Sequence, residues 1–261
     1  KEGRAQMLDI YLPRNRKSEE PLPLVIWIHG GGWRGGDKGG AGQIRSLVAS
    51  GEYVGASINY RLSGQAIWPA QINDCKAAIR YLRAHAEELG FDPDRIAVWG
   101  SSAGGHLVAM LGTSGDVKEL EGEVGDHLDQ SSRVSCVVDY FGPTDFSKIG
   151  SFPSSISHNS PSSPESLLIG SPILESPEKV KSVNPITYIS ADDPPFLIVH
   201  GKADMTVPFN QSELLHEALT KAKKDTKLIP IEGAGHGGPE FSSEEIMTEV
   251  RAFLEKNLAK K

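Results

Sequence analysis

Gly100-Ser101-Ser102-Ala103-Gly104 stands where a short apolar run, 95–100, passes into an apolar helical pattern, 103–112. The run has the length and composition of a buried strand, and the segment after it, rich in Ala, Leu and Met, that of a helix. Glycines two before and two after Ser102 predict a turn so tight that the backbone nearly meets itself, leaving space for small residues only. Such an elbow lifts the Ser102 hydroxyl to the N-terminus of the following helix. There the partial positive charge and free N–H groups suit a developing negative charge. The five-residue pattern alone recurs by chance; the strand before it and the helix after it give it weight.

Working outward, apolar runs at 7–12, 24–29, 54–60, 134–140, 196–200 and 227–231 predict further strands, most of them buried on both faces. Helical patterns lie between them at 43–50, 70–89, 210–223 and 243–258. The clearest is 70–89, where Ile72, Cys75, Ile79, Leu82 and Ala86 follow i, i+3, i+4 spacing between Pro69 and Gly90. Alternating strands and helices predict an α/β domain with a mostly parallel central sheet and helices on both faces. Segment 144–190 breaks the alternation. It carries no strand pattern, and its 150–164 stretch is rich in serine and proline. It reads as either a small cap or a mobile surface excursion within a single domain spanning 1–261.

The chain has 27 Lys and Arg against 34 Asp and Glu, a net charge of −7, which argues against a nucleic-acid partner. No apolar run exceeds the five residues of Leu24–Ile28, far short of the roughly 20 a membrane span needs. Cys75 and Cys136 fall in a helix and a strand pattern and read as buried thiols. No His, Cys and Asp spacing suggests a metal, and no dinucleotide fingerprint is present, so neither metal nor cofactor is expected.

A serine hydroxyl needs a base, and of the eight histidines His236 is best placed, in the flexible Gly233-Ala234-Gly235-His236-Gly237-Gly238 loop after the last strand pattern. His85, His106 and His216 lie in helical patterns, and His200 ends a strand pattern. His127 and His158 fall in polar loops and read as solvated. Asp204 follows the strand pattern 196–200 and is the candidate to orient the imidazole. Asp192 and Asp193 precede that strand and face the wrong edge, and Glu232 competes weakly. After strand 24–29 comes His29-Gly30-Gly31-Gly32-Trp33, whose unshielded N–H groups suit an oxyanion. Gly31, Gly32 and Ala103 are the candidate donors, and His29 reads as a support for the loop. Trp33 and Trp68 are candidate walls for substrate, Arg61 with Asp74 a candidate structural ion pair, and Asp145 a cap for the segment after it.

The 29–33 run, the 100–104 elbow and the order Ser102, Asp204, His236 resemble the α/β-hydrolase superfamily, and within it carboxylesterases of hormone-sensitive-lipase type. Gly31-Gly32-Trp33, Asn59-Tyr60-Arg61-Leu62, Trp68-Pro69-Ala70-Gln71 with Asp74, the doubled Ser101-Ser102, and Phe141-Gly142-Pro143-Thr144-Asp145 resemble the bacterial bifunctional feruloyl and acetylxylan esterases. The resemblance covers about 7–258. It implies a serine esterase without cofactor, acting on a small-molecule or glycan-linked ester and secreted or periplasmic; the opening Lys1 in place of Met reads as processing or trimming. Unlike lipase-like relatives, only 28 residues precede His29, so no large N-terminal cap is expected and the site should be open unless 144–190 covers it. Two alternatives use the same fold: a serine peptidase of prolyl-oligopeptidase type, for whose propeller this chain has no room, and a non-catalytic binding module.

Overall fold

The computed structural model describes residues 6–260. Its centre is a seven-stranded sheet of β1 (Leu8–Tyr11), β2 (Leu22–Ile28), β3 (Val54–Ile58), β4 (Phe91–Ser101), β5 (Cys136–Tyr140), β6 (Phe196–Gly201) and β7 (Thr226–Ile231). The spatial order is β1-β3-β2-β4-β5-β6-β7. β1 pairs antiparallel with β3, and every other pairing is parallel. The helices are α1 (Gly42–Ala49), α2 (Ala70–Ala84), α3 (Ala86–Leu89), α4 (Ala103–Thr113), α5 (Lys118–Glu121), α6 (Pro164–Ile169), α7 (Pro177–Val183), α8 (Asn210–Lys221) and α9 (Glu244–Asn257).

Because side chains alternate across a strand, the sheet feeds two cores. Leu24, Ile26 and Ile28 of β2 enter one with Ile96 and Val98 of β4, covered by Ile72, Cys75 and Ile79 of α2, Leu107 of α4 and Leu215 of α8. Val25 and Trp27 enter the other with Ala97 and Trp99, covered by Ile44 and Leu47 of α1 and Val250 and Leu254 of α9. The helices therefore lie on both faces, as the alternation of patterns predicts. β7 departs from burial on both faces: it closes the sheet as a half-exposed edge strand, where Pro230 costs no ladder bond to a further strand. Cys75 and Cys136 are buried free thiols.

The helix expected over 70–89 is divided. His85, at φ −105° and ψ 16°, ends α2, and Gly90 in the left-handed region ends α3. Periodicity also conceals a buried lysine: Lys76 of α2 donates from Nζ to the Ser114 carbonyl and to Glu121 of α5, both at 2.6 Å. Burial pulls its pKa down, against the pull of Glu121.

Segment 144–190 contains α6, α7 and three 3-10 turns. It buries Phe146, Ile149, Leu168, Ile169, Ile173, Val180 and Val183 in the same core as α2 and α4. Ser163 caps α6 by accepting from the Ser166 N–H, a contact of about 1 kcal/mol.

α4 crosses the end of β2 so closely that a Cβ on Gly104 would lie 2.1 Å from the Ile28 carbonyl oxygen. Gly104→Ala is therefore expected to cost at least about 2 kcal/mol in urea unfolding, since backbone on both sides must give. Gly40, with nothing within 4 Å of its built Cβ, supplies the control: Gly40→Ala should stay within about 0.5 kcal/mol of the parent. Equal midpoints for the two variants would refute the close-packing account.

Candidate active site

The order β3-β2-β4 places the glycine loop after β2 beside the elbow after β4, at a topological switch point where parallel strands leave a crevice at their carboxyl ends. Ser102 sits in that elbow at φ 55° and ψ −122°, a strained conformation for a residue with a side chain. Its N–H donates to the Tyr140 carbonyl at 2.8 Å. A Cβ on Gly100 would lie 2.3 Å from the Gly104 carbonyl oxygen, which explains the first and last glycines of the pattern.

The Ser102 Oγ lies 3.0 Å from His236 Nε2, and His236 Nδ1 lies 2.7 Å from Asp204 Oδ2. A carboxylate can only accept, so the Nδ1 proton faces Asp204 and Nε2 is left to receive the serine proton. Phe141 packs edge-on to the His236 ring at 4.7 Å between centroids. Asp204 is buried, and its Oδ1 accepts from the N–H groups of Thr206 at 2.7 Å and Val207 at 3.0 Å. Burial raises its pKa. The side chains of His200 and His236 and the Thr206 N–H outweigh burial and hold the carboxyl well below its usual range.

The N–H groups of Gly31, Gly32 and Ala103 donate to no acceptor among the described residues. Gly31 and Gly32 adopt φ of 111° and 58°, backbone that glycine takes at no steric cost. His29 supports that loop. Its ring stacks on Tyr60 at 4.3 Å, its Nδ1 donates to the Gly30 carbonyl at 2.8 Å, and the Tyr60 hydroxyl donates to the His29 carbonyl at 2.9 Å. Burial lowers the His29 pKa despite the Gly30 contact.

The structure thus brings Ser102, Asp204, His236, Gly31, Gly32 and Ala103 together. Of the two expected walls, Trp33 stands at the cleft and Trp68 does not. Trp33 borders the cleft but is 1% exposed, its indole edge-on to His106 and tilted against Phe146. Trp68 is 8% exposed, packs on His106 within the core and does not line the cleft. Both indoles are drawn inward by the apolar surface of α4, so neither offers a free ring face. Arg61 grips Asp74 with two bonds of 2.8 Å, and Asp145 caps its own segment by accepting from Ser147 and Asn184.

Two features escape sequence reasoning. His200 is not merely the end of a strand: its Nε2 lies 3.1 Å from Asp204 Oδ2 and 2.9 Å from the Val207 carbonyl, and its Nδ1 bonds Ser212 at 2.7 Å. Its place four residues before Asp204 was the available signal. His158, read as solvated, is 3% exposed and pairs with Glu165 at 2.9 Å. The apolar residues of 144–190 pull that segment against the domain and carry His158 inside with it.

The cleft above Ser102 has a volume of about 650 Å³, within the range of small-molecule sites. One wall is Gly30–Trp33, another is Thr206, Val207 and His236, and a third is Ile156, His158, Pro164 and Glu165 from 144–190. Among the described residues no cluster of three or more His, Cys, Asp or Glu is set to hold a metal ion, and no helix is long and apolar enough to cross a membrane.

Solved structures share this arrangement of the chain. A truncated form of a carbohydrate esterase from gut microbiota is 37% identical, with a TM-score of 0.89 over 97% of this chain and 91% of that one. A thermophilic esterase of the Planctomycetes species Thermogutta terrifontis, Est2, solved with propionate bound, is 31% identical with a TM-score of 0.78, covering 97% and 91%. Esterase LipC of Mycobacterium tuberculosis is 30% identical over 241 residues, 89% of this chain and 57% of LipC. The chain spans about half the length of the curated relatives it matches. The BD-FAE family model matches residues 8–219. The chain belongs to the BD-FAE family, and its mostly parallel, helix-flanked sheet is the α/β-hydrolase fold of its esterase neighbours.

Proposed function

We propose that the protein is a serine carboxylesterase working through an acyl-enzyme. The observation that carries this reading is the continuous hydrogen-bond path from Ser102 through His236 to Asp204, beside three N–H groups that have no partner among the described residues. In this mechanism His236 Nε2 takes the proton of the Ser102 hydroxyl as Oγ bonds to the carbonyl carbon of the ester. The carbonyl oxygen gains charge and is held by the Gly31, Gly32 and Ala103 N–H groups. His236 then gives its proton to the departing alkoxide oxygen. A water molecule repeats the sequence on the acyl-enzyme, releasing the acid and restoring Ser102. Asp204 keeps the imidazole in the required tautomer and stabilises its cationic form. The chain's own groups handle every proton and charge in this route.

For substrate, we favour short acyl or aryl esters, with acetyl and feruloyl groups on plant polysaccharide as the natural class. Support comes from the carbohydrate esterase among the structural neighbours and from the propionate held by Est2. The net charge of −7 is compatible with a neutral glycan, which needs no electrostatic steering. Secretion or periplasmic placement would suit such a polymer and belongs to the same proposal.

Ser102→Ala should remain folded by circular dichroism and lose about 10⁴-fold or more in kcat, because the triad acts as a unit and leaves only residual catalysis without its nucleophile. Retention of a tenth of the parent rate on p-nitrophenyl acetate would place the nucleophile elsewhere. On a chain-length series of p-nitrophenyl esters, the short-acyl reading expects acetyl and butyryl to be turned over at least about tenfold faster than decanoyl, a difference of the size that one or two methylenes can make in a pocket that does not accommodate them. A tenfold preference for decanoyl would sink the short-acyl reading.

A further inference from the structure

We propose that Asp139 is a positioning residue for the reaction: its carboxyl group holds the Gly142 N–H, and this bond fixes the ring of Phe141 against His236. The proposal rests on the esterase reading above and adds to it a support that belongs to neither the triad nor the oxyanion loop.

Asp139 lies in β5, two residues before Phe141, and is 1% exposed. Its Oδ1 accepts from the Gly142 N–H at 2.9 Å. The first turn of α4 closes over the same oxygen, so that a Cβ on Gly105 would overlap it. Oδ2 is buried too and has no hydrogen-bond partner among the described residues. Burial pushes the Asp139 carboxyl up to about 7, against the pull of the Gly142 N–H. A carboxyl so enclosed lowers stability, so packing does not account for it. What it offers is one bond, which Oδ1 accepts whether the group is ionised or carries its proton on Oδ2.

That bond acts on Phe141. At φ 44° Phe141 lies in the left-handed region, which a bulky side chain occupies only under constraint from its neighbours. Two N–H groups supply the constraint: its own, which donates to the Val199 carbonyl of β6 at 2.9 Å, and that of Gly142. Held in this way, the Phe141 ring meets Phe241 edge-on at 4.8 Å and His236 edge-on at 4.7 Å between centroids. Its Cζ also comes 3.8 Å from where a Cβ on Gly237 would stand, so it braces the loop as well as the imidazole.

His236 depends on such a brace. Its loop carries Gly237 and Gly238 at φ 88° and 128°, backbone with little stiffness of its own. The bond to Asp204 fixes Nδ1 but leaves the ring free to tilt about that end, and tilting takes Nε2 away from Ser102 Oγ. The Phe141 ring opposes the tilt. Without the Gly142 bond, Phe141 relaxes toward ordinary backbone and its ring withdraws. His236 serves acylation and deacylation alike, so both steps slow together: kcat falls while KM stays.

The test is hydrolysis of p-nitrophenyl acetate, with kcat expressed per active chain, counted as the fraction that a fluorophosphonate finally labels. Asp139→Leu should lower kcat at least about tenfold, the scale of a small misplacement of a reacting group, with KM within about twofold. Asp139→Asn keeps an oxygen for the Gly142 N–H and should stay within about threefold of the parent kcat. Phe141→Ala should lower kcat to a similar degree as Asp139→Leu. Adding Asp139→Leu to Phe141→Ala should lower it by less than about twofold more, because the ring through which Asp139 acts is gone. Asp139→Ala and Phe141→Leu replace whichever of these variants does not fold. A parent-like kcat per active chain in Asp139→Leu or in Phe141→Ala overturns the assignment. So does a loss in Asp139→Asn as large as that in Asp139→Leu, which would make charge and not the bond the cause, and so do two losses that multiply in the double variant. A parent protein that hydrolyses no p-nitrophenyl ester overturns the esterase reading instead, and the assignment with it.

Discussion

Ser102 is held at φ 55° and ψ −122°, and much of the domain serves to keep it there. A side chain in this region of backbone space costs of order 1–3 kcal/mol, so the neighbours must over-determine the conformation. They do so by contact and by hydrogen bonding. Gly100 and Gly104 let the strand end and the helix start approach without side chains between them, and the Tyr140 carbonyl on the adjacent strand takes the Ser102 N–H. The parallel register of β4 with β2 and β5 sets where that turn occurs: Gly100 pairs with Ile28, and Ser101 with Tyr140. The same pairings bring the glycine loop after β2 beside the elbow.

A second layer keeps His236 and Asp204 in place. Asp204 lies at the meeting point of two histidines and two backbone N–H groups, which together overcome the penalty that burial imposes on its charge. His200 takes part in this without facing the serine, and Ser212 of α8 fixes its other nitrogen. The turn after Asp204 is clasped from outside by Ser154, Ser155 and His158. Segment 144–190 is thereby joined to the site by polar contacts and to the core by its apolar side chains. Through Ile156, His158, Pro164 and Glu165 it forms one wall of the cleft.

The sheet, and the six residues that meet at the elbow, Ser102 among them, were legible because each leaves a local mark: a strand run, a glycine pair, a residue just beyond a strand end. Parallel topology turns those marks into proximity, since residues following different strands arrive at one edge. Trp68 and His158 were misread for a common reason. Whether an aromatic or polar side chain beside a cleft faces in or out depends on what packs against it: for Trp68 this is the distant His106, and for His158 it is Glu165, seven residues on in a segment without a readable period. The irregular path of 144–190 offers no period from which its packing could be read, although its buried isoleucines and valines are plain in the structure.

The central claim, a serine nucleophile activated by His236, is tested most directly by a fluorophosphonate probe followed by peptide mass spectrometry. The account predicts one adduct per chain, on Ser102, abolished in His236→Ala although the hydroxyl is still present. An adduct on another residue, or labelling of the histidine variant at the parent rate, would contradict it.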